Sequence, residues 1–132
     1  MTFNPFSLTN RRILITGGSS GIGKATAIAC SKMGADIILI ARDVRRLTET
    51  LQELSPGRHS YVSADLTDYD RIEPIISECV EKYGKFDGLV HSAGIEISSP
   101  IQLLNPTQYE KIFSVNLISG FELSKVITKK KY

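Results

Sequence analysis

Two short runs, RILIT at 12–16 and DIILIA at 36–41, are apolar on both faces of an extended chain. A strand with one wet face alternates, whereas continuous Ile and Leu belong to strands covered on both sides, as in a parallel sheet. Between these runs the apolar period becomes helical. Ile22, Ala25, Ala29 and Met33 predict one face of a helix over 21–33, which Gly34 ends. Asp43 can cap a second helix with a stripe of Val44, Leu47, Leu51 and Leu54, stopped by SPG at 55–57. HSYVSA at 59–64 reads as the third strand. For the third helix, Asp70 as N-cap and Glu73 three residues later resemble a capping box and leave Pro74 in the tolerant first turn. Ile72, Ile75, Ile76, Cys79, Val80 and Tyr83 then face the core. FDGLVHSAG at 86–94 supplies a fourth strand and its turn. The last helix opens at NPTQ, with Asn105 as N-cap, Pro106 at its first position and Gln108 at its third, and runs on through Phe113, Leu117 and Phe121. The order βαβαβαβα implies an open, doubly wound parallel α/β sheet with right-handed crossovers.

No repeat, linker or low-complexity segment interrupts this order, and 132 residues fit one domain with a real core. The formal charge of +2 is too small to imply nucleic acid or an anionic membrane, and KKK at 129–131 reads as a solvated helix end. No apolar stretch approaches the roughly 18 residues of a membrane span. MTFNPFSLTNRR lacks the apolar region of a signal peptide. Cys30 and Cys79 fall on apolar helix faces, without metal-ligand spacing, so we expect core thiols, no metal and a cytoplasmic protein.

GGSSGIGKAT at 17–26 nearly satisfies two phosphate-binding patterns. A triphosphate loop needs a hydroxyl directly after its lysine to hold Mg²⁺, but Ala25 follows Lys24 and Thr26 comes one place late. One residue rotates a helical side chain by about 100°, so Thr26 would point away from the metal. A dinucleotide turn needs glycines for the bend, for backbone approach to a pyrophosphate and for close helix packing, and Gly17, Gly21 and Gly23 meet those needs. Ser19 and Ser20 can add hydroxyl donors beside the helix N-terminus, where an anion is favoured.

TGGSSGIG (16–23), AR (41–42), DLTD (65–68), LVHSAG (89–94) and VNL (115–117) together resemble the short-chain dehydrogenase/reductase family, from Arg11 to about Lys125. The resemblance implies a Rossmann-type dinucleotide-binding domain over 1–132, hydride transfer between nicotinamide and a small-molecule carbonyl or secondary alcohol, and a homo-oligomer. It assigns the cofactor contacts to Gly17, Ser19, Ser20, Gly21, Ile22, Gly23, Arg42, Asp65, Leu66, Ser92, Ala93 and Gly94. An acid at the end of the second strand would bind the 2′-hydroxyl of NAD; Ala41 and Arg42 stand there, so NADP(H) is expected over NAD(H). Arg45 and Arg46 could strengthen the same field. Asp65 and Leu66 would flank the adenine. HSAG stands where the family usually has N-N-A-G, so Ser92 replaces an asparagine, while His91 reads as a strand residue.

Carbonyl reduction in the family uses a serine and a Tyr-x-x-x-Lys pair, the lysine lowering the tyrosine pKa. Tyr61, Tyr69, Tyr83 and Tyr109 are followed four residues on by Asp65, Glu73, Asp87 and Phe113, and Tyr132 is the last residue. Of the family's catalytic group only Asn116 is present, which the resemblance places at a helix kink holding a water. The family pattern thus stops after its fourth strand and following helix, and the expected protein is a cofactor-binding half without turnover. An exposed fourth-strand edge would leave it marginally stable or self-associating. A non-catalytic or degenerate dinucleotide-binding module, and remotely a triphosphate-binding protein, stand as alternatives.

Overall fold

The computed structural model describes residues 3–132, which form two compact units, residues 3–64 with Lys85–Ser92 and Asp65–Gly84 with Ala93–Tyr132. The first holds β1 (Arg12–Thr16), α1 (Gly21–Lys32), β2 (Asp36–Ala41), α2 (Val44–Glu53), β3 (Ser60–Ser63) and β4 (Gly88–His91). The four strands make one sheet in the order β3-β2-β1-β4, and every pairing is parallel, as expected from the doubly apolar runs. Ile13, Ile15, Ile37 and Leu39 pack with Ala27 and Leu47 on one face of the sheet. Leu14, Ile38 and Ile40 are equally buried on the other. The β4 edge is fixed at its start by Asp87, whose carboxylate accepts from the Arg12 amide at 2.8 Å and from the Arg11 guanidinium at 3.2 Å. The amide bond, with the arginines behind it, holds this carboxyl below its ordinary range.

The packing face of α1 differs from the expected one. Gly23, Ala27 and Ser31 are buried, whereas Ile22 is 78% exposed and Met33 is the exposed C-cap. A helix lying close to a sheet turns its smallest residues inward, so the apolar period pointed to the wrong side. In α2, Leu47 is buried as expected and Asp43 caps the Arg46 amide at 3.0 Å, but the buried companion of Leu47 is Thr50 rather than Val44. A residue the sequence did not single out closes the start of β2. The Ile37 amide donates to His59 Nδ1 at 3.1 Å, which places the ring proton on Nε2, 2.6 Å from the Ser55 carbonyl.

The second unit holds α3 (Ile72–Tyr83), α4 (Pro106–Phe113) and α5 (Ser119–Ile127). Asn105 and Gln108 form the expected capping box at α4. At α3 the expectation fails: a 3₁₀ turn over Tyr69–Arg71 precedes the helix, Arg71 occupies the N-cap without a side-chain bond, and Asp70 caps nothing. Glu73 is drawn elsewhere. Its carboxylate meets Lys129 Nζ at 2.6 Å, Lys131 Nζ at 3.0 Å and the Tyr132 hydroxyl at 3.1 Å, so Lys129 and Lys131 are paired rather than simply solvated.

The hydrogen bond from Lys129, followed by that from Lys131, lowers the Glu73 pKa from 4.5 to about 2. A carboxyl depressed on folding contributes stability above its unfolded pKa and loses it as pH falls through the folded value. Between pH 4.5 and 2 the parent chain is therefore expected to lose stability more steeply than Glu73→Gln, with the difference shrinking in high salt. Urea denaturation at stepped pH measures this, and parallel slopes for the two proteins would exclude the clamp.

Candidate functional site

In the order β3-β2-β1-β4 the chain winds outward from β1 in one direction and then returns to its other side. The carboxyl ends of β1 and β4 thus flank a topological switch point, where open α/β sheets bind ligands. Thr16 and His91 are register partners there and are the last residues of their strands. The glycine turn begins at the next residue. Gly17 has φ +67° and donates its amide to the Ile40 carbonyl at 2.9 Å, so the bend uses a conformation that only glycine adopts freely. Gly18 lies against β2, where a Cβ would fall 2.6 Å from Leu39 Cδ2, a constraint that no local pattern announces.

Gly23 has the tightest surroundings of the turn. A Cβ there would lie 2.6 Å from the Gly17 carbonyl carbon, and closer still to the Gly17 oxygen and Ser92 Oγ. Gly21 is the opposite case, with φ +54° and nothing within 4 Å of an added Cβ, so that side of the turn is open to an approaching group. Ser20 is the N-cap of α1 but makes no side-chain cap bond. Neither its hydroxyl nor that of Ser19 has a partner among the described residues, and the first amides of α1 have no acceptor within the helix. Ile22 projects outward from the same turn. Open space at Gly21, unpartnered hydroxyls and a helix N-terminus are groups that could receive an anion.

Ser92 joins the turn by a route the sequence did not reveal. Its hydroxyl donates to the Thr16 carbonyl at 2.6 Å, tying the end of β4 to the end of β1. At the end of β2, Arg42 is exposed, and its guanidinium has no partner among the described residues. Its carbonyl accepts from Ser63 Oγ at 3.0 Å. The neighbouring cations are engaged locally, Arg45 with Glu49 at 2.8 Å and Arg46 with Asp43 at 3.6 Å. Lys24 is paired with Glu53 at 2.6 Å, and the Thr26 hydroxyl donates back to the Ile22 carbonyl at 2.7 Å. Neither side chain is disposed as a triphosphate loop would require.

The second unit carries the remaining assigned residues. Asp65 is exposed and Leu66 buried; Asp65 Oδ1 accepts from the Thr67 amide at 3.0 Å and its hydroxyl at 2.7 Å, a local turn. Ala93 is half-buried and Gly94 exposed, with a Cβ on Gly94 3.4 Å from Asn116 Oδ1. Asn116 lies in a π-helical turn, Ser114–Ile118, between α4 and α5. Its carboxamide binds one backbone position twice. Oδ1 accepts from the Ile95 amide at 2.7 Å and Nδ2 donates to the Ile95 carbonyl at 2.9 Å. No cluster of metal-ligating side chains occurs among the described residues.

The short chain dehydrogenase family model matches residues 11–131. A 3-ketodihydrosphingosine reductase of Mus musculus is 36% identical over 132 residues, covering 93% of this chain and 39% of that protein. Among solved structures, a dehydrogenase/reductase from Sinorhizobium meliloti 1021 superposes with a TM-score of 0.88 at 32% identity, over 93% of this chain and 50% of that one. An actinorhodin polyketide ketoreductase variant with NADPH gives a TM-score of 0.84 at 29% identity, over 90% of this chain and 46% of that one. The chain therefore spans half or less of the length of these relatives.

Proposed function

The chain belongs to the short-chain dehydrogenase family, and from that premise we propose that it is the NADP(H)-binding half of an oxidoreductase acting on a carbonyl or secondary alcohol. The observation that carries this reading is the Gly17–Gly23 turn at the β1/β4 switch point, closed against Gly17 and Ser92 on one side and open at Gly21 on the other. Its glycine backbone, the start of α1, Ser19 and Ser20 would hold the pyrophosphate, with Ile22 bordering it. Arg42, which unlike Arg45 and Arg46 has no partner among the described residues, would take the 2′-phosphate. Asp65 and Leu66 would serve the adenine, and Ala93 and Gly94 the ribose. When bound, the nicotinamide supplies or accepts the hydride. Asn116 would keep the segment after β4 in place through Ile95. Two relatives bear names of ketone-reducing enzymes, which supports ketone reduction as the direction.

Within these 132 residues no tyrosine precedes a lysine by four places. We therefore expect the chain by itself to bind NADPH without Mg²⁺ and to reduce no ketone. Calorimetry with NADPH, and separately with ATP and Mg²⁺, tests the first part; binding of ATP·Mg alone would overturn the reading. Measurable NADPH oxidation with ketone substrates would overturn the second.

The proposed partner besides substrate is a second copy of the chain. Tyr109, Phe113, Leu117 and Phe121 recur every fourth residue along the last helices and are exposed, Phe113 at 57% and Phe121 at 64%. Together they present on the order of 400 Å² of side-chain surface, about half of what a standard interface buries per partner. A two-fold pairing would cover both copies of such a face at once. Sedimentation reports the state, and a monomer at high concentration would exclude this pairing. The cytoplasm is the compartment we propose, supported by two free cysteines; burial pushes the Cys79 thiol up to about 11. No helix among the described residues is long and apolar enough to cross a membrane.

A further inference from the structure

We propose that Ser63, the last residue of β3, is a positioning residue for cofactor specificity and acts through the backbone of Arg42. The inference rests on reading Arg42 as the partner of a 2′-phosphate. Arg42 and Asp43 join the end of β2 at Ala41 to the start of α2 at Val44. The sheet's hold on the chain ends at Ala41, whose carbonyl accepts from the Ala64 amide at 3.0 Å. The helix takes hold at Asp43, whose carbonyl accepts from the Leu47 amide at 3.0 Å and whose carboxylate caps Arg46. The peptide between Arg42 and Asp43 falls in the gap between the two. Its carbonyl accepts from Ser63 Oγ at 3.0 Å, and its N–H has no acceptor among the described residues. Among those residues the Ser63 hydroxyl is therefore what ties this peptide down.

Two consecutive residues at the end of β3 thus hold the two peptides that flank the Arg42 Cα. Ala64 takes the one before it and Ser63 the one after. The backbone between rigid peptide planes has only φ and ψ to vary, so fixing both planes fixes the direction of the Cα–Cβ bond. That direction is where the reach of the guanidinium begins. Arg42 is exposed and its side chain has no partner among the described residues, so no side-chain contact supplies the aim instead. NADH carries no 2′-phosphate, so a loss of this aim falls on NADPH. Ser63 is the register partner of Ala41 and is itself exposed, so removal of its hydroxyl empties no core. Its contribution is to discrimination between the two nucleotides.

The test uses the 132-residue chain with two readouts. One is the order parameters of the Arg42 and Asp43 amides without ligand, the other titration of NADPH and NADH at one ionic strength. Ser63→Ala is expected to lower both order parameters from about 0.85 toward 0.6, while those within β2 and α2 hold. It is expected to weaken NADPH about fivefold, the ordinary worth of one hydrogen bond, and to leave NADH unchanged. Ser63→Thr keeps a hydroxyl on a residue suited to a strand and should restore both readouts. Adding Ser63→Ala to Arg42→Ala should weaken NADPH no further, because the two residues act as one unit. Unaltered order parameters in Ser63→Ala would overturn the role. So would, in a parent that prefers NADPH, an equal effect on the two nucleotides or a further fivefold loss in the double variant. A parent that binds both nucleotides equally, with order parameters that fall in Ser63→Ala, would uphold the restraint on Arg42 and overturn the 2′-phosphate reading instead.

Discussion

A Gly23→Ala protein is expected to lose measurable affinity for NADPH and to melt well below the parent chain. The added methyl would fall 2.6 Å from the Gly17 carbonyl carbon and nearer still to its oxygen. None of these neighbours can rotate away. Gly17 is anchored to Ile40 through its amide, and Ser92 is held by the Thr16 carbonyl at 2.6 Å. The remaining relief is for the first turn of α1 to move off the sheet, which opens the glycine turn and unpacks Ala27 behind it. Overpacking of this kind costs about 1–3 kcal/mol, and the cradle geometry is lost besides. Gly21→Ala separates conformational strain from steric exclusion, because its Cβ meets open space while φ is +54°. It is expected to cost roughly 1–2 kcal/mol through the left-handed backbone alone and to retain weakened binding. Calorimetry and thermal melts distinguish the two, and a Gly23→Ala chain binding NADPH within twofold of the parent would refute the packing account.

Reversal of the charge at Arg42 is expected to invert the cofactor preference. A guanidinium at the end of β2 without a partner among the described residues can form a bidentate bond to a 2′-phosphate, and charge-assisted bonds are worth about 1.5–3 kcal/mol. Arg42→Ala should therefore weaken NADPH roughly 10- to 100-fold and leave NADH nearly unchanged. Arg42→Glu adds repulsion of the phosphate and an acceptor for a ribose hydroxyl, so the NADPH to NADH ratio should move by about a thousandfold. Arg45 and Arg46 are engaged with Glu49 and Asp43, and their alanine variants should change the ratio much less. Titrations of both nucleotides at one ionic strength are the measurement, since exposed charges are screened by salt. Equal losses for NADPH and NADH in Arg42→Ala would dismiss the 2′-phosphate role.

What could be read before folding was what depends on neighbours along the chain. RILIT and DIILIA announce doubly covered strands, because their side chains have no polar face to offer water, and both form parallel pairs. Asn105 and Gln108 satisfy each other's backbone amides within one turn of helix, so their box survives in the fold. Asp70 and Glu73 have the same spacing logic and fail. The Glu73 carboxylate meets two ammonium groups, those of Lys129 and Lys131, and no backbone amide of its own first turn. The buried face of α1 was misread for a different reason. Hydrophobicity ranks Ile22 and Met33 above Gly23, Ala27 and Ser31, but a helix packed closely on a sheet selects by size. The repeat of small residues every fourth position was the available signal.

The sequence by itself determined the βα order, the glycine turn after the first strand and the family to which the chain belongs. All three are carried by periodicity, backbone freedom and spacing, which need no knowledge of distant residues. The tertiary structure decided which side chains are engaged: Lys24 by Glu53, Ser92 and His91 by Thr16, Asn116 by Ile95, and Arg42 by none of the described residues. These pairings join residues 21 to 76 places apart. Their distances are set by the sheet order and the packing of helices, and no local pattern encodes them.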